Sequence, residues 1–299
     1  MDPGAGAAIL VTGAAGTIGR RVIASLESID RDVVALIGSE DADPGRGHVV
    51  RGDLLEPGTA RRAVEALVAR ADGRPTAIIH LAAIPHPTNP PVRGFANNTA
   101  AAFNILDAAG ELGVDRAVVA SSMAAVGLAF GPPELRPHYL PIDEDHPTLV
   151  ADSYGLSKAV TETVAESMHR RWGTAVCAVR FPFVAAGERL AKRLSEARSA
   201  PESLRAEVWS YLHTEDAAEY LVRLADADLQ GFQIVNIAAP DTLSEVPTAD
   251  LIGRFLPEVA RGRTFVGHEV PLDLGRLERL LGARPARTWR TGHEEAMGM

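Results

Sequence analysis

A glycine-patterned stretch near the start of the chain limits its possible folds more than any other part of the sequence. The stretch Val11 to Gly19 reads VTGAAGTIG and follows the apolar run Ala8 to Leu10. This order is typical of a strand, a tight turn and the start of a helix. Gly13 lets the chain turn off the strand, Gly16 lets backbone approach a phosphate group, and Gly19 lets the helix pack on the strand.

The first turn of that helix is a candidate phosphate site. Backbone N–H groups are unpaired at a helix N-terminus, and the helix dipole is positive there. The spacing GxxGxxG differs from the common dinucleotide fingerprint GxGxxG, so the loop alone leaves other glycine-rich turns open. The sequence predicts that a dinucleotide is held by Gly13, Gly16, Thr17, Ile18 and Gly19.

Composition indicates an ordinary globular protein. The 299 residues are 46% hydrophobic and 23% charged, which is enough apolar material for a large core. The net charge of -9 opposes a phosphate backbone, and Lys or Arg does not cluster with aromatic residues, so nucleic-acid binding is not expected. Cys177 is the single cysteine of the sequence, which excludes a disulfide within the chain and a thiolate metal cluster. It lies in an apolar run. No metal site is predicted.

The sequence shows neither a targeting segment nor a membrane segment. Met1 to Gly6 lacks a basic region, and the apolar residues that follow belong to the first predicted strand. No window approaches the run of about 18 apolar residues that a membrane-spanning helix needs. These observations predict a cytoplasmic protein with no membrane partner, and a small molecule is the expected substrate.

Short apolar runs alternate with helical patterns along the first 180 residues. The predicted strands are Ala8 to Val11, Asp32 to Ile37, His48 to Val50, Ala77 to His80, Arg116 to Ser121 and Ala175 to Arg180. The predicted helices are Thr17 to Ser28, Gly58 to Ala71, Phe95 to Leu112 and Ser153 to Trp172. Apolar strands separated by helices form a parallel sheet with right-handed crossovers, covered on both faces. The expected fold is therefore α/β, a doubly wound, Rossmann-like sheet.

The rhythm of strands and helices changes after residue 180. Residues 187–199 and 213–225 have helical patterns, residues 231–237 read as a strand, and the remainder mixes loops with scattered prolines. We expect a dinucleotide-binding domain over residues 1–180 and a smaller, mixed substrate-binding region over residues 181–299. This region is expected to cover the carboxyl ends of the strands, with residues 212–240 returning to the sheet.

Two strand ends carry further candidate ligands for a dinucleotide. Asp53 and Leu54 follow the third predicted strand, where the carboxylate can accept a hydrogen bond from an adenine amino group. Leu81, Ala82 and Ala83 follow the fourth strand, and small residues there allow backbone to approach a ribose. A solvated turn and simple core packing are the alternative interpretations.

The end of the second predicted strand does not decide between NAD and NADP. A carboxylate there holds the ribose 2′-hydroxyl of NAD in many such sites, but this sequence places Ile37 to Ser39 at that point. No Arg or Lys lies between residues 33 and 45, and three acidic residues within that range oppose a 2′-phosphate. Arg20 and Arg21 remain alternatives for such a phosphate. The sequence favours NAD and leaves NADP open.

The strongest pattern pairs a tyrosine with a lysine. In the stretch YGLSK, Tyr154 and Lys158 are four residues apart and therefore share one face of the predicted helix. A phenol with its ordinary pKa of about 10 is a poor base at neutral pH, but a neighbouring ammonium and a positive nicotinamide lower that pKa. The resulting phenolate accepts a carbinol proton while hydride leaves the carbon. Ser122, at the end of the fifth strand, is expected to hydrogen-bond the reacting oxygen.

These motifs, in this order, resemble the extended short-chain dehydrogenase/reductases, also called the NAD-dependent epimerase/dehydratase family. The resemblance covers nearly the whole chain, from the glycine loop through the Tyr154 and Lys158 pair to the segment Tyr211 to Asp216. It implies an NAD(P)-dependent enzyme in which Ser122, Tyr154 and Lys158 are catalytic. Asn98 matches the asparagine that helps to position the lysine. Family members often form homodimers through the two helices that carry Asn98 and Tyr154.

Departures from the family pattern concern the substrate. Met123 follows Ser122 where sugar-nucleotide dehydratases carry acidic residues, so dehydration is not expected. Sugar-nucleotide epimerases carry an asparagine and a diphosphate-binding arginine at the positions of Phe183 and Trp209. The segment Val208 to Ser210 is more similar to the uronate dehydrogenases, which oxidise free sugar acids, and a place for Trp209 in the core is the alternative interpretation.

The resemblance therefore implies a dehydrogenase or reductase that acts on a secondary alcohol of a small sugar, sugar acid or similar polar substrate. A sugar-nucleotide epimerase is the alternative. A catalytically silent cofactor-binding regulator is a third hypothesis, although the intact Tyr154 and Lys158 argue against it. The candidate substrate contacts are His86, Ser122, Met123 and Trp209.

Overall fold

The computed structural model describes residues 6–45 and 47–291 as alternating strands and helices. In chain order the elements are β1 (Ala8–Thr12), α1 (Thr17–Ser28), β2 (Val33–Ile37), β3 (His48–Arg51), α2 (Pro57–Ala71), β4 (Thr76–His80), α3 (Pro91–Glu111), β5 (Arg116–Ser122), β6 (Tyr139–Leu140), α4 (Ser153–Trp172), β7 (Ala175–Phe181), β8 (Phe183–Ala185), α5 (Gly187–Ser199), β9 (Tyr211–His213), α6 (Thr214–Asp226), β10 (Phe232–Asn236), α7 (Thr248–Phe255), β11 (Ala260–Arg261) and α8 (Gly275–Leu281). Two short 3-10 turns, Met123–Val126 and Pro201–Glu207, complete the set within these residues.

A parallel sheet of seven strands forms the centre of the described residues. Its order is β3-β2-β1-β4-β5-β7-β10, and every neighbouring pair is parallel. The chain adds strands on one side of β1 up to β3 and then continues on the other side from β4, which is the doubly wound arrangement. The predicted fold is therefore confirmed. β1 is buried along its whole length because it lies between β2 and β4, with Val11 opposite both Ala35 and Ile79.

Helices cover both faces of the sheet, since neighbouring residues of each strand point to opposite sides. Ile9 and Val11 of β1 pack into one hydrophobic core with residues of α1, α6 and α8. Leu10 belongs to a second core with residues of α2, α3 and α4. The carboxyl ends of the strands remain between these layers and form one edge, where ligands of open parallel sheets bind.

A smaller lobe with its own hydrophobic core lies beyond β7. Its core includes Trp209 and Tyr211, both fully buried, together with residues of α5 and α7. β8 pairs in parallel with β9, and β6 pairs in parallel with β11. In contrast, β10 joins the main sheet beside β7, and α6 packs against α1. Part of the chain after residue 180 therefore belongs to the main sheet and its helical cover.

Residues 287–291, here named the C-terminal clasp, connect this lobe to α6. Arg287 forms an ion pair with Asp216 near the start of α6. The backbone N–H of Trp289 donates to the hydroxyl of Tyr211 at 2.9 Å. Arg290 Nε lies 2.9 Å from the carboxylate of Asp241. The clasp thus contacts the buried polar groups of the lobe and the first turn of α6 together.

Several predicted boundaries move by a few residues. α2 begins at Pro57 and α3 at Pro91, earlier than predicted, because proline fits the first turn of a helix. β5 extends to Ser122. No helix among the described residues is long and apolar enough to cross a membrane. Met1 to Ala5, on which the absence of a targeting segment was predicted, lie outside the described residues.

Candidate active site

A cleft of about 560 Å³ opens at the carboxyl ends of β1 to β4. Its walls come from the glycine loop, from the loops after β2 and β3, and from the segment after β4. The lining includes these residues that were predicted from the sequence to bind a dinucleotide: Gly13, Gly16, Asp53, Leu54, Leu81, Ala82 and Ala83. The structure therefore brings together three strand ends that sequence spacing could only place on one edge of a sheet.

Each of the three glycines of the loop is needed for a different structural reason. Gly13 has φ +65°, and a Cβ atom there would lie 2.8 Å from the backbone nitrogen of Ala82. A Cβ on Gly19 would lie 2.3 Å from the carbonyl oxygen of Gly13, so this glycine permits the contact of helix and turn. A Cβ on Gly16 would meet only that same oxygen, at 3.2 Å. Gly16 is thus required least by the fold, as expected of a residue that leaves room for a ligand.

The N-terminus of α1 is open toward an anion. Gly16 is its N-cap and offers no side chain to the first N–H groups, and no acidic residue lies in the first turn. Thr17 and Ile18 supply N–H groups in that turn, and Gly16 itself lines the cleft. Unpaired amides at a positive helix end match a pyrophosphate. The residues present therefore fit a dinucleotide such as NAD.

A threonine and a histidine that sequence reasoning did not identify fix the far wall of the cleft. Thr12 Oγ1 lies 2.8 Å from Nδ1 of His80 and accepts from the backbone N–H groups of Leu81 and Ala82 at 3.2 and 3.3 Å. Burial, aided by the positive charge of Lys158, lowers the pKa of His80 to about 3, so its ring is neutral. The neutral ring allows a hydrogen bond with Thr12 without a buried charge. Their placement at two strand ends was the available sequence signal.

The loop after β2 contributes a carboxylate that the sequence spacing concealed. Asp41 lines the cleft, and its Oδ2 accepts from the backbone N–H of Gly38 at 2.9 Å. The expected position directly after the strand holds no acid, but the loop folds back and brings Asp41 to the same edge. Arg20 donates instead to the backbone carbonyls of Ala42 and Asp43, at 3.4 and 3.5 Å.

Asp53 occupies the turn that follows β3. Its Oδ1 accepts from the backbone N–H of Leu55 at 2.9 Å, which fixes the turn. The other carboxylate oxygen is not used in this bond, and both Asp53 and Leu54 line the cleft. The structural turn and the predicted contact with an adenine amino group are therefore compatible.

Tyr154 stands at the start of α4 beside Ser122. Asp152 caps this helix, since its Oδ1 accepts from the backbone N–H groups of Tyr154 and Gly155, both at 2.8 Å. A hydrogen bond from Ser122 reaches the phenol. Burial raises the pKa of Tyr154 above its ordinary value, and the negative charge of Asp152 adds to this, whereas the hydrogen bond with Ser122 lowers it. Burial therefore raises the pKa of Tyr154, whereas the sequence predicted a lowered pKa from the neighbouring ammonium and a bound nicotinamide.

Lys158 lies one turn further along the same helix and is buried. Its Nζ donates to the carbonyl oxygen of Ala120 at 2.8 Å and stands 5.9 Å from the centroid of the Tyr154 ring. Burial lowers the pKa of Lys158 to about 8, against the opposing effect of Glu162. The structure thus brings Ser122, Tyr154 and Lys158 together at the end of β5.

Asn98 acts on the catalytic helix through a serine. Its amide nitrogen donates to Oγ of Ser157 at 3.0 Å and to the carbonyl of Ile84 at 3.1 Å, and its amide oxygen accepts from the Ile84 N–H at 2.8 Å. Ser157 directly precedes Lys158 and bonds to the carbonyl of Tyr154 at 2.8 Å. Asn98 therefore joins α3, the cleft wall and α4, and its effect on Lys158 is indirect.

The predicted substrate contacts separate into two groups. Met123 is partly exposed in the 3-10 turn directly after Ser122, and His86 is exposed in the loop after β4. Trp209 is different, because it is fully buried and its indole nitrogen donates to the carbonyl of Pro201 at 2.7 Å. The interpretation of Trp209 as a substrate contact is corrected: its ring fills the core of the smaller lobe.

A cleft that fits a dinucleotide and a cluster of Ser, Tyr and Lys at the strand ends of a doubly wound sheet define the class of protein, a Rossmann-like α/β fold. The model of the NAD dependent epimerase/dehydratase family matches residues 9–238. The chain belongs to this family, which confirms the resemblance of its motifs.

Two curated relatives illustrate the range of similarity. UDP-glucose 4-epimerase of Azospirillum brasilense is 32% identical over 196 residues, which cover 63% of this chain and 52% of the relative. The chain spans about half the length of this and similar epimerases. dTDP-4-dehydro-6-deoxy-D-allose reductase of Streptomyces bikiniensis is 26% identical over an alignment of 329 residues, covering 98% of this chain and 96% of the relative.

Solved structures share the fold. A short-chain dehydrogenase/reductase superfamily protein from Agrobacterium tumefaciens, solved with bound NAD, has a TM-score of 0.71 at 24% identity, covering 96% of this chain and 95% of that one. A mutated uronate dehydrogenase has a TM-score of 0.62 at 23% identity, covering 97% of this chain and 86% of that one.

Proposed function

We propose that this protein is an NAD-dependent oxidoreductase that transfers hydride between nicotinamide and a secondary alcohol of a small sugar, sugar acid or similar polar substrate. The observation that carries the proposal is the cluster at the end of β5, where Tyr154 interacts with the Ser122 hydroxyl and its ring centroid lies 5.9 Å from the Lys158 ammonium. NAD, when bound, supplies the hydride acceptor. The cleft with Gly16 and Asp53 in its walls supports its binding.

The roles of the three residues follow from their chemistry. Ser122 donates a hydrogen bond to the substrate oxygen and holds it beside the phenol. Tyr154 Oη, as phenolate, accepts the carbinol proton during oxidation and returns a proton during reduction. The ammonium of Lys158 stabilises the phenolate, which matters because burial alone raises the pKa of Tyr154.

The preference for NAD over NADP is supported by the loop after β2. Asp41 places a carboxylate in the cleft, where it accepts from a ribose 2′-hydroxyl and repels a 2′-phosphate. Kinetic comparison of the two cofactors tests this. Asp41→Asn should reduce the preference for NAD over NADP by about 10-fold or more, which corresponds to about 1.4 kcal/mol of repulsion between the carboxylate and a 2′-phosphate. Equal use of both cofactors by the unchanged protein would contradict the assignment.

A panel assay tests the reaction class. Free sugars, sugar acids and sugar nucleotides are incubated with NAD and the protein, and nicotinamide absorbance is followed beside product analysis. Net NADH formation supports the dehydrogenase, whereas conversion of a sugar nucleotide without net NADH supports the epimerase to which the chain is similar. NAD binding with no turnover of any kind would support the silent regulator.

We also propose a homodimer through the outer faces of α3 and α4. Phe103 on α3 and Leu156 on α4 are large apolar side chains that are each 43% exposed. The two helices that carry these exposed side chains pack closely along each other. A second copy of the same pair would bury both residues in a four-helix arrangement.

A further inference from the structure

Each of the last three residues of β5 contacts a side chain of α4. The α4 residues are spaced by four, so they follow one another along the helix. The pairs are Ser122 with Tyr154, Ala120 with Lys158 and Ser121 with Glu162. The first two pairs belong to the proposed reaction. The third pair has no role in it, although it continues the same row into the protein.

Glu162 is a buried carboxylate with strong partners. Arg180 on β7 binds it through two hydrogen bonds, Nε to Oε1 at 2.8 Å and a terminal nitrogen to Oε2 at 2.9 Å. Ser121 donates to Oε1 at 2.6 Å. Only 7% of Glu162 and 3% of Arg180 are exposed. A two-pronged guanidinium and a hydroxyl hold the carboxylate at a fixed place.

Lys158, one turn before it, lacks a direct ion pair among the described residues. Its Nζ donates to the neutral carbonyl of Ala120, and only 5% of the residue is exposed. Burial favours loss of the proton, and the negative charge of Glu162 favours its retention.

The other groups near Lys158 do not supply a negative charge. His80 on β4 is neutral, because its pKa falls to about 3. Tyr154 is a protonated phenol before reaction, since burial raises its pKa. Arg180 on β7 adds a positive charge, although its guanidinium is occupied by Glu162. α3 contributes the neutral Asn98 through Ser157.

We propose that Glu162 is a positioning residue whose carboxylate, held by Ser121 and Arg180, keeps the buried Lys158 protonated near neutral pH. Its kinetic consequence rests on the proposed function, because only a charged Lys158 stabilises a Tyr154 phenolate. The protonation state of Lys158 can be measured without substrate or cofactor.

The sequence makes this measurement unusually direct, since it contains two lysines, Lys158 and the exposed Lys192. Lysine labelled with 13C at Cε gives two NMR signals whose shifts report each ammonium during a pH titration, and Lys192→Arg assigns them. We expect Lys158 to titrate below the ordinary lysine value in the unchanged protein, because burial lowers its pKa. In Glu162→Gln the Lys158 midpoint should fall by about one pH unit, with Lys192 unchanged.

Glu166→Gln is the matched control. Glu166 is the next acidic residue one turn along α4, and it pairs with Arg170 at the surface, with 45% of its side chain exposed. Its removal should leave the Lys158 midpoint unchanged. An unchanged midpoint in a folded Glu162→Gln protein would overturn the inference.

A second variant tests the inference if Glu162→Gln does not fold. Joint replacement Glu162→Leu and Arg180→Leu removes both charges and keeps apolar volume, an exchange that folded cores often tolerate. Glu162 adjoins Lys158 on α4, whereas the joint change also removes the positive charge of Arg180, so the Lys158 midpoint should still fall but by less than in Glu162→Gln. No fall in this folded protein would again overturn the inference. If the midpoint falls as expected while no substrate is turned over, the proposed function fails and the inference stands.

Discussion

At the residue scale, Tyr154 has little freedom to move. Its N–H is bonded to Asp152 at 2.8 Å, its phenol to Ser122, and its ring meets the edge of Phe130 at a centroid distance of 5.9 Å. A phenol fixed in this way reacts with a substrate oxygen without a search over rotamers. The cost is a raised pKa, since burial disfavours the phenolate.

The hydroxyl of Tyr154 is therefore the most informative atom to remove. Tyr154→Phe keeps the ring packing, so NAD affinity measured by calorimetry should hardly change, while turnover should fall by about 100-fold or more. Tyr139→Phe is the control, because the hydroxyl of Tyr139 bonds to Asp143 at 2.7 Å outside the cluster. Near-normal turnover of Tyr154→Phe would refute the catalytic role.

Lys158→Met and Ser122→Ala separate the neighbouring roles. Lys158→Met should weaken both turnover and NAD affinity, since the ammonium is expected to bind the nicotinamide ribose as well as to stabilise the phenolate. Ser122→Ala should lower turnover and leave NAD affinity almost unchanged. Steady-state kinetics and calorimetry on both variants measure the difference, and equal effects on affinity would contradict it.

The charge of Asp152 gives a pH prediction. Its negative charge raises the pKa of Tyr154, so Asp152→Asn should lower that pKa while the amide oxygen preserves the helix cap. Since the phenolate is the active form in oxidation, activity rises with pH through this pKa. The rising limb of the pH profile should move to lower pH by about 0.5 unit. A shift to higher pH would show that another group controls the limb.

At the scale of elements, two glycines of the turn between β1 and α1 have different roles, one in folding and one in ligand binding. Gly19→Ala forces atoms to within 2.3 Å of each other, so the free energy of unfolding should fall by about 1–3 kcal/mol. Gly16→Val should leave the protein folded and lower NAD affinity by about 10-fold or more, because its side chain occupies the phosphate site. Denaturant unfolding and calorimetry distinguish the two, and normal NAD binding by Gly16→Val would contradict the phosphate-loop assignment.

The elements that sequence analysis predicted are those with a local pattern. The main sheet and its helices have apolar runs, and α5 matches its predicted bounds, residues 187–199. β6, β8, β9 and β11 were missed because they have only two or three residues and exist through pairing with distant segments. Asp41 was counted among the acids that oppose a 2′-phosphate, but its place in the cleft was not predicted, since a folded loop rather than spacing brings it there.

Within the site, sequence order identified the cluster but not its electrostatics. Tyr154 and Lys158 follow from helical spacing, and Ser122 from its strand end. The raised pKa of Tyr154 depends on burial, which the spacing does not report. Trp209 was assigned to the substrate from a short local similarity, whereas its indole bond to Pro201 depends on the fold of the lobe.

At the scale of the whole molecule, the outer faces of α3 and α4 predict the state of association. Light scattering at micromolar concentration should give a dimer, and Phe103→Asp should give a folded monomer, because a carboxylate cannot be buried there without a partner. Val266→Asp is the control, since Val266 is 71% exposed away from these helices. A monomeric unchanged protein would rule out the proposed interface.

The C-terminal clasp also sets an order for biosynthesis. The hydroxyl of Tyr211 donates to the carboxylate of Asp241 at 2.6 Å, and this buried pair receives further partners from Trp289 and Arg290, which are made long after β9. During translation, the main sheet can assemble as β1 to β7 emerge from the ribosome, one strand beside the next. Until the clasp has emerged, the Tyr211 and Asp241 pair lacks the hydrogen bond from Trp289 and the charge of Arg290. We therefore expect nascent chains stalled before residue 287 to hold a protease-resistant sheet beside a protease-sensitive lobe.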